Sequence, residues 1–146
     1  VAEVFEGDET GRAAIGHGYT YSGHPVGAAA ALACLAETQR LNLVENASAR
    51  GAQLWAGINR LKDKYTVIGD VRGGHGLMLA IELVGERASK SAPPKAQPGQ
   101  VQELAYKAGA MVRVSGPNII LSPPLILTPA DADTILAALD AGFAAL

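Results

Sequence analysis

A loop rich in hydrogen-bond donors precedes an alanine-rich run, and it reads H-G-Y-T-Y-S-G-H-P over residues 17–25. The run that follows contains strong helix formers, and Pro25 suits the first helical position. Free backbone N–H groups and the positive dipole end of a helix favour an anion such as phosphate, and Thr20 and Ser22 add hydroxyl donors. The same residue types also form ordinary helix caps. The sequence therefore predicts either an anion site or a cap at this helix start.

A second candidate for chemistry is Arg113, which stands in the apolar stretch V-R-V beside turn residues. A guanidinium in this position either extends along apolar surface into solvent or is held ready for a planar carboxylate, which it can bind with two hydrogen bonds. Alternating strands often expose an arginine, so both interpretations remain open from the residues alone.

Composition limits the class of protein. The chain has 146 residues, of which 49% are hydrophobic and 18% charged, and this suits one globular domain with its own core. The formal net charge of -2 provides no basic surface for nucleic acid or for anionic membranes, so we expect neither partner. We predict no metal site, a cytoplasmic location, and a buried, inert thiol at Cys34 within the run A-L-A-C-L-A.

The periodicity of apolar residues predicts an α/β fold of the α+β type. We expect a small antiparallel or mixed sheet of about three to four strands, with about four helices on one face and along one edge. The predicted helices cover residues 25–43, 44–64 and 100–110 and a segment that T-P-A-D opens at Thr128. The predicted strands lie near residues 66–68, 76–84, 111–114 and 118–122, the last two forming a hairpin. The Pro-, Ser- and Lys-rich stretch at 85–99 is predicted to be a mobile loop.

Three motifs, in this order, resemble the C-terminal part of class III aminotransferases, which are pyridoxal-phosphate enzymes of fold type I. The likeness is greatest to their omega-amino-acid:pyruvate branch. The motifs are H-G-Y-T-Y-S-G-H-P-V at 17–26, G-D-V-R-G-G-H-G-L-M-L-A-I-E-L-V at 69–84 and V-R-V-S-G-P-N-I-I-L-S-P-P-L-I-L-T at 112–128. The resemblance covers nearly the whole chain. It implies that residues 1–23 are an arm remaining from the large cofactor domain, and that residues 24–146 are the small C-terminal domain with a mobile loop at 85–99.

The resemblance also implies roles for individual residues. Thr20 and Tyr21 would contact the phosphate of the partner subunit's cofactor, and His24 would shape the same loop. Arg113 is similar to the arginine that pairs with the carboxylate of the amino acceptor and swings away for apolar amines. In the acetylornithine-like branch the recognition arginine stands three residues before P-P-L, where this chain has Ile120. The comparison favours pyruvate-linked chemistry.

The family mechanism requires a lysine that holds pyridoxal 5'-phosphate as a Schiff base, and an acid that pairs with the pyridinium nitrogen. The resemblance places both upstream, and no lysine of this chain stands in the expected glycine- and alanine-flanked context. The lysines considered are Lys62, Lys64, Lys90, Lys95 and Lys107. We therefore assign no catalytic residue to the chain and expect it to be inactive alone and without bound cofactor. The full-length protein is expected to form a homodimer or tetramer that uses an amine or amino-acid donor and a pyruvate-like keto acid.

Two alternatives remain open. One is a free-standing, non-catalytic dimerisation or interaction domain, and the other is a different reaction of fold type I, such as decarboxylation or aminomutation. The family's V-R-G-x-G-L pattern is one residue longer here, so His75 is interpreted as a turn or bulge residue. Arg72 is interpreted as a structural residue that either forms an ion pair or bonds the backbone, and it is given no catalytic role.

Overall fold

The structure, a computed structural model, describes residues 2–6, 10 and 18–146. Its elements in chain order are α1 Ala2–Glu6, α2 Pro25–Arg40, α3 Leu43–Lys64, β1 Ile68–Arg72, β2 Leu79–Leu83, α4 Gln97–Lys107, β3 Arg113–Ser115, β4 Asn118–Leu121 and α5 Pro129–Ala144. The chain divides into two compact units, Val1–Ala36 and Glu37–Leu146, and the division falls within α2. The predicted boundary between residues 23 and 24 stays a prediction. None of the helices described is long and apolar enough to cross a membrane.

The four strands form one sheet in the order β1-β2-β4-β3, and every neighbouring pair is antiparallel. Side chains alternate between its two faces, because successive residues of a strand point in opposite directions. Ile81 and Ile119 are Cα partners in the ladder and both are fully buried, so their face of the sheet is the core face. Antiparallel pairing with one covered face is typical of an α+β domain.

The other face of the sheet carries two rows of side chains, each formed by residues that lie opposite one another in successive ladders. The arginine row consists of Arg72, Ala80, Ile120 and Arg113. The polar row consists of Asp70, Glu82, Asn118 and Ser115. The outer members of the arginine row are exposed, whereas its two apolar members are half-buried.

Helices α3 and α4 pack against the core face, and α5 packs on both of these helices. Fully buried side chains of the three helices join those of the sheet in one hydrophobic cluster, and they include Leu54, Ile58, Val101, Ala105 and Leu139. Gly57 permits a close approach of α3 to α5, since a Cβ at this position would collide with the side chain of Leu136 on α5. The amphipathic periodicity of these helices therefore gives one continuous core beneath the sheet.

The predicted fold class is confirmed: an antiparallel four-stranded sheet is combined with helices, and the hairpin and the cap at Thr128 form where the sequence predicted them. The first strand was predicted too early, because β1 covers Ile68–Arg72 and contains a register shift between Ile68 and Asp70. Helix α4 begins at Gln97, three residues before the predicted start. The prediction for Cys34 was wrong, since this residue is exposed and α2 has no buried residue.

Candidate functional site

The candidate anion loop is a turn that leads directly into α2. The Ser22 N–H donates to the Tyr19 carbonyl at 2.9 Å, and the His24 N–H donates to the Tyr21 carbonyl at 3.4 Å. Gly23 has a φ of 75°, a left-handed conformation that favours glycine and reverses the chain before Pro25. The side chain of Tyr21 is 87% exposed. His17, the first residue of the motif, lies outside the described residues.

The donor set of this turn fits an anionic group. Helix α2 has no acidic residue in its first turn, and residues 18–36 contain no carboxylate. Thr20 is exposed and lies five residues before Pro25, the first residue of α2, so it does not occupy the N-cap position of that helix. Phosphate oxygens accept hydrogen bonds from hydroxyls and from the N–H groups of the first turn of a helix.

Arg113 begins β3 and lies at the edge of the sheet, with its side chain exposed. It lines a cavity of about 530 Å³ whose other walls include Leu121, Pro123, Pro124 and Ile135. Within the described residues 18–146, its guanidinium has no hydrogen-bond or ion-pair partner. The group therefore keeps all its N–H donors for an anionic partner, and an apolar wall stands beside it.

Ile120 lies directly opposite Arg113 in the β3–β4 ladder, and it lines the same cavity. Opposite residues of an antiparallel pair have Cα atoms about 4.5–5.5 Å apart and side chains on the same face. The two positions at which the recognition arginine of either branch is expected from the sequence, 113 and 120, are therefore neighbours beside one cavity. Arg113 and Ile120 are seven positions apart in the sequence, and this separation alone gives no direct indication of the contact.

The segment 123–127 contributes Pro123, Pro124 and Leu127 to the lining of the cavity, and α3 anchors this segment. The Asn46 amide donates to the carbonyls of Leu125 at 2.7 Å and Leu127 at 3.0 Å. Immediately after the segment, Thr128 caps α5 through a reciprocal pair of hydrogen bonds with Asp131. Side-chain hydrogen bonds thus hold this segment from Leu125 to Thr128. Its apolar residues Leu125 and Ile126 remain exposed.

Arg72 occupies the opposite end of the arginine row from Arg113, and both terminal nitrogens of its guanidinium donate hydrogen bonds. It donates to Asp70 at 3.4 Å, to Asn118 at 2.6 Å, and to Glu82 in a short ion pair. The hydrogen bond with Glu82 raises the pKa of Arg72 above its ordinary value. Of the two structural roles predicted for Arg72, the structure shows the ion pair. The hydrogen bond to Asn118 was not predicted.

His75 lies in the turn between β1 and β2 and is exposed. The glycines around it, Gly73, Gly74 and Gly76, have φ angles of 119°, 98° and 144°. Such angles are strained for residues with a side chain, so the extra length of this motif is accommodated by glycine geometry. The turn interpretation of His75 is confirmed.

The five lysines are surface groups, as their sequence contexts predicted. Lys62 pairs with Asp70, Lys64 with Asp140, and Lys107 with Glu103. Lys90 and Lys95 are exposed in the segment 85–99. That segment also carries Arg87, which donates to the backbone carbonyls of Lys62, Tyr65 and Ile68. The predicted mobility of 85–99 stays a prediction.

Comparison with known proteins shows the family. The sequence profile of the class-III aminotransferases matches residues 1–142. The chain therefore belongs to the class-III aminotransferase family.

Individual relatives include enzymes of more than one substrate type. The taurine–pyruvate aminotransferase of Bilophila wadsworthia is 37% identical over 131 residues, which are 85% of this chain and 28% of that protein. The acetylornithine aminotransferase of Gloeobacter violaceus is 35% identical over 131 residues, which are 89% of this chain and 30% of that protein. The two identities are so similar that overall likeness does not separate the two branches.

A solved structure supports the fold at the level of coordinates. The amine transaminase of an uncultivated Pseudomonas species, in its PLP-bound form, superposes with a TM-score of 0.82 at 42% identity. The match covers 99% of this chain and 33% of that chain. The chain spans about 30% of the length of the curated relatives it matches.

Proposed function

We propose that this chain is the C-terminal small domain of a longer pyridoxal-phosphate-dependent transaminase, which moves an amino group between an amine or omega-amino acid and pyruvate. Family membership supports the reaction class, and the PLP-bound relative supports the cofactor. The proposed assembly is a homodimer, or a tetramer built from dimers, in the cytoplasm. The chain alone is proposed to be inactive, because the residues that hold the cofactor by a covalent bond belong to the remainder of the protein.

The observation that carries the pyruvate assignment is the pair Arg113 and Ile120. Arg113 presents an unpaired guanidinium to the cavity, while the cross-strand position holds an apolar side chain. One guanidinium beside an apolar wall suits a small keto acid, whose carboxylate needs two parallel donors and whose methyl group needs none. It also suits an apolar amine once the flexible arginine turns toward solvent.

In the proposed dimer, Thr20 and Tyr21 would hold the phosphate of the partner subunit's cofactor. The Thr20 hydroxyl and the first-turn N–H groups of α2 would donate to phosphate oxygens. When bound, pyridoxal phosphate supplies an electron sink for removal of the proton next to the amine. A site shared in this way would make dimerisation a condition for activity.

The proposal is tested by Arg113→Ala in the full-length protein. A hydrogen-bonded charged pair contributes about 1.5–3 kcal/mol, so kcat/KM for pyruvate is expected to fall by about 10- to 100-fold. Conversion of a simple amine to its ketone, measured as a single half-reaction, is expected to stay within about twofold of wild type. Lys107→Ala, which removes an exposed ion pair with Glu103, is the matched control. Equal loss of both half-reactions in Arg113→Ala would contradict the assigned role.

The alternative of a free-standing, non-catalytic domain is tested by the same protein. The full-length protein is expected to show the absorbance of bound pyridoxal phosphate, and this chain alone is expected to show none. A full-length protein with neither cofactor absorbance nor transamination would refute the proposed function and favour the interaction domain. A cofactor-bound protein that releases carbon dioxide or only relocates the amino group would instead favour the decarboxylase or aminomutase alternative.

A further inference from the structure

The β3–β4 hairpin, which carries Arg113 on its first strand, is fixed at its turn by side-chain and backbone hydrogen bonds. The Asn118 amide N–H donates to the Ser115 carbonyl at 3.1 Å, and the Leu83 N–H donates to the Pro117 carbonyl at 2.9 Å. The Asn118 side-chain oxygen accepts a hydrogen bond of 2.6 Å from Arg72. One amide group thus links the hairpin turn to strand β1.

Strand β3 is held by β4 and, at its start, by α4, where the Gln102 amide donates to the Val112 carbonyl at 2.8 Å. It is an edge strand of three residues, Arg113–Ser115, and in the sheet it pairs with β4 alone. Edge strands with exposed backbone hydrogen bonds open more readily than central strands. The placement of the Arg113 side chain therefore depends in part on how firmly the hairpin is attached to the rest of the sheet.

Arg72 provides a firm attachment, because acceptors on both sides fix its planar guanidinium. It is paired with Asp70 on its own strand and with Glu82 on β2, and its remaining arm reaches Asn118 on β4. A planar group held by several acceptors loses little freedom when it makes one further hydrogen bond. The link therefore runs from β1 across β2 to the hairpin.

We infer that Arg72, acting through Asn118, is a positioning residue that holds the hairpin so that Arg113 meets the carboxylate of the keto acid. This inference rests on the proposed function. Arg72 and Arg113 stand at opposite ends of the arginine row, so the effect of Arg72 is transmitted through the hairpin. Loss of Arg72 is therefore expected to raise the KM for the keto acid and to leave kcat nearly unchanged.

The test uses the full-length protein with Arg72→Met and Asn118→Ala. We expect each variant to raise the KM for pyruvate by about fivefold while kcat stays within about twofold, since a misplaced carboxylate partner weakens binding before it slows chemistry. Arg72→Lys keeps the charge beside Asp70 and Glu82 but lacks the planar fork. It is expected to recover the folding stability of wild type and to retain the raised KM.

Arg87→Met is the matched control. Arg87 also joins several acceptors, but these are the carbonyls of Lys62, Tyr65 and Ile68, away from the hairpin. Its loss is expected to lower the melting temperature and to leave the KM for pyruvate unchanged. A rise in KM equal to that of Arg72→Met would show a general effect of stability and would overturn the inference.

Amide hydrogen exchange supplies a readout that does not depend on activity. Exchange over residues 112–121 is expected to quicken in Arg72→Met and Asn118→Ala and to stay as in wild type in Arg87→Met. Unchanged exchange in the first two variants would overturn the inference whether or not the protein transaminates. Loss of pyruvate selectivity in Arg113→Ala, together with an unchanged KM in Arg72→Met and Asn118→Ala, would leave the proposed function standing and refute the positioning role.

Discussion

Gly51, in the middle of α3, allows the helix to touch the turn that joins β1 and β2. A Cβ added at this position would lie 2.7 Å from the Gly76 carbonyl carbon and 2.9 Å from its Cα. These atoms belong to the backbone, so they cannot rotate away as a flexible side chain would. Gly51→Ala therefore forces either α3 or the glycine turn to move.

Two opposing contributions decide the size of the effect. Alanine stabilises a helix interior by about 1 kcal/mol relative to glycine. Overpacking of a close contact costs about 1–3 kcal/mol, and a collision with backbone belongs at the upper end of that range. We therefore expect Gly51→Ala to lower the free energy of unfolding by about 2 kcal/mol, the difference between these two contributions.

The measurement is urea unfolding of the chain, followed by circular dichroism. Gly99→Ala is the matched control, because Gly99 is also helical but an added Cβ would meet nothing within 4 Å. That variant is expected to be more stable than wild type by about 0.5–1 kcal/mol. If Gly51→Ala stabilises the chain to the same degree as Gly99→Ala, α3 does not approach the turn as closely as described, and the reasoning is refuted.

Two further predictions concern α5. Thr128→Ala removes the capping box with Asp131 and is expected to lower the free energy of unfolding by about 1 kcal/mol, measured in the same urea titration; an unchanged midpoint would contradict the cap. Hydrogen bonds from Lys64 and then Tyr65 lower the pKa of Asp140, so the carboxylate contributes stability above its unfolded pKa of about 4 and loses it as the pH falls through the folded value. Lys64→Met should therefore destabilise the chain less at pH 3 than at pH 7, and equal effects at both pH values would refute the pair's contribution.

Local sequence patterns were sufficient where one short segment contains all the interacting groups. The cap at Thr128 and the turn at Ser115–Asn118 each join residues three apart, so residue type and spacing determine them. The apolar periodicity of α3 likewise predicts the helix and its buried side. These features follow from nearest-neighbour geometry and need no knowledge of the remaining chain.

Patterns were insufficient where pairing is non-local. The start of β1 depends on its register with β2, which includes a shift near Asp70, and no residue type in the segment specifies that shift. The exposure of Cys34 shows the same limit, because an alanine-rich run predicts close packing without stating what would cover it.

The same distinction between local and non-local features applies to the candidate site. Thr20, Tyr21 and Arg113 were selected by motif, and their proposed roles remain to be tested. The link between Arg72 and Asn118 joins residues 46 positions apart, so only the sheet topology reveals it.

The ladder contact between Arg113 and Ile120 has a consequence for substitution experiments. Residues that share one cavity and one cross-strand contact do not contribute additively, so the effect of a change at either position depends on the residue at the other. Libraries that vary one position at a time would miss variants in which the arginine stands at position 120 instead of position 113 and the sheet is unchanged. Under the proposed function, paired randomisation of these two positions is the smallest library that tests acceptor selectivity as one variable.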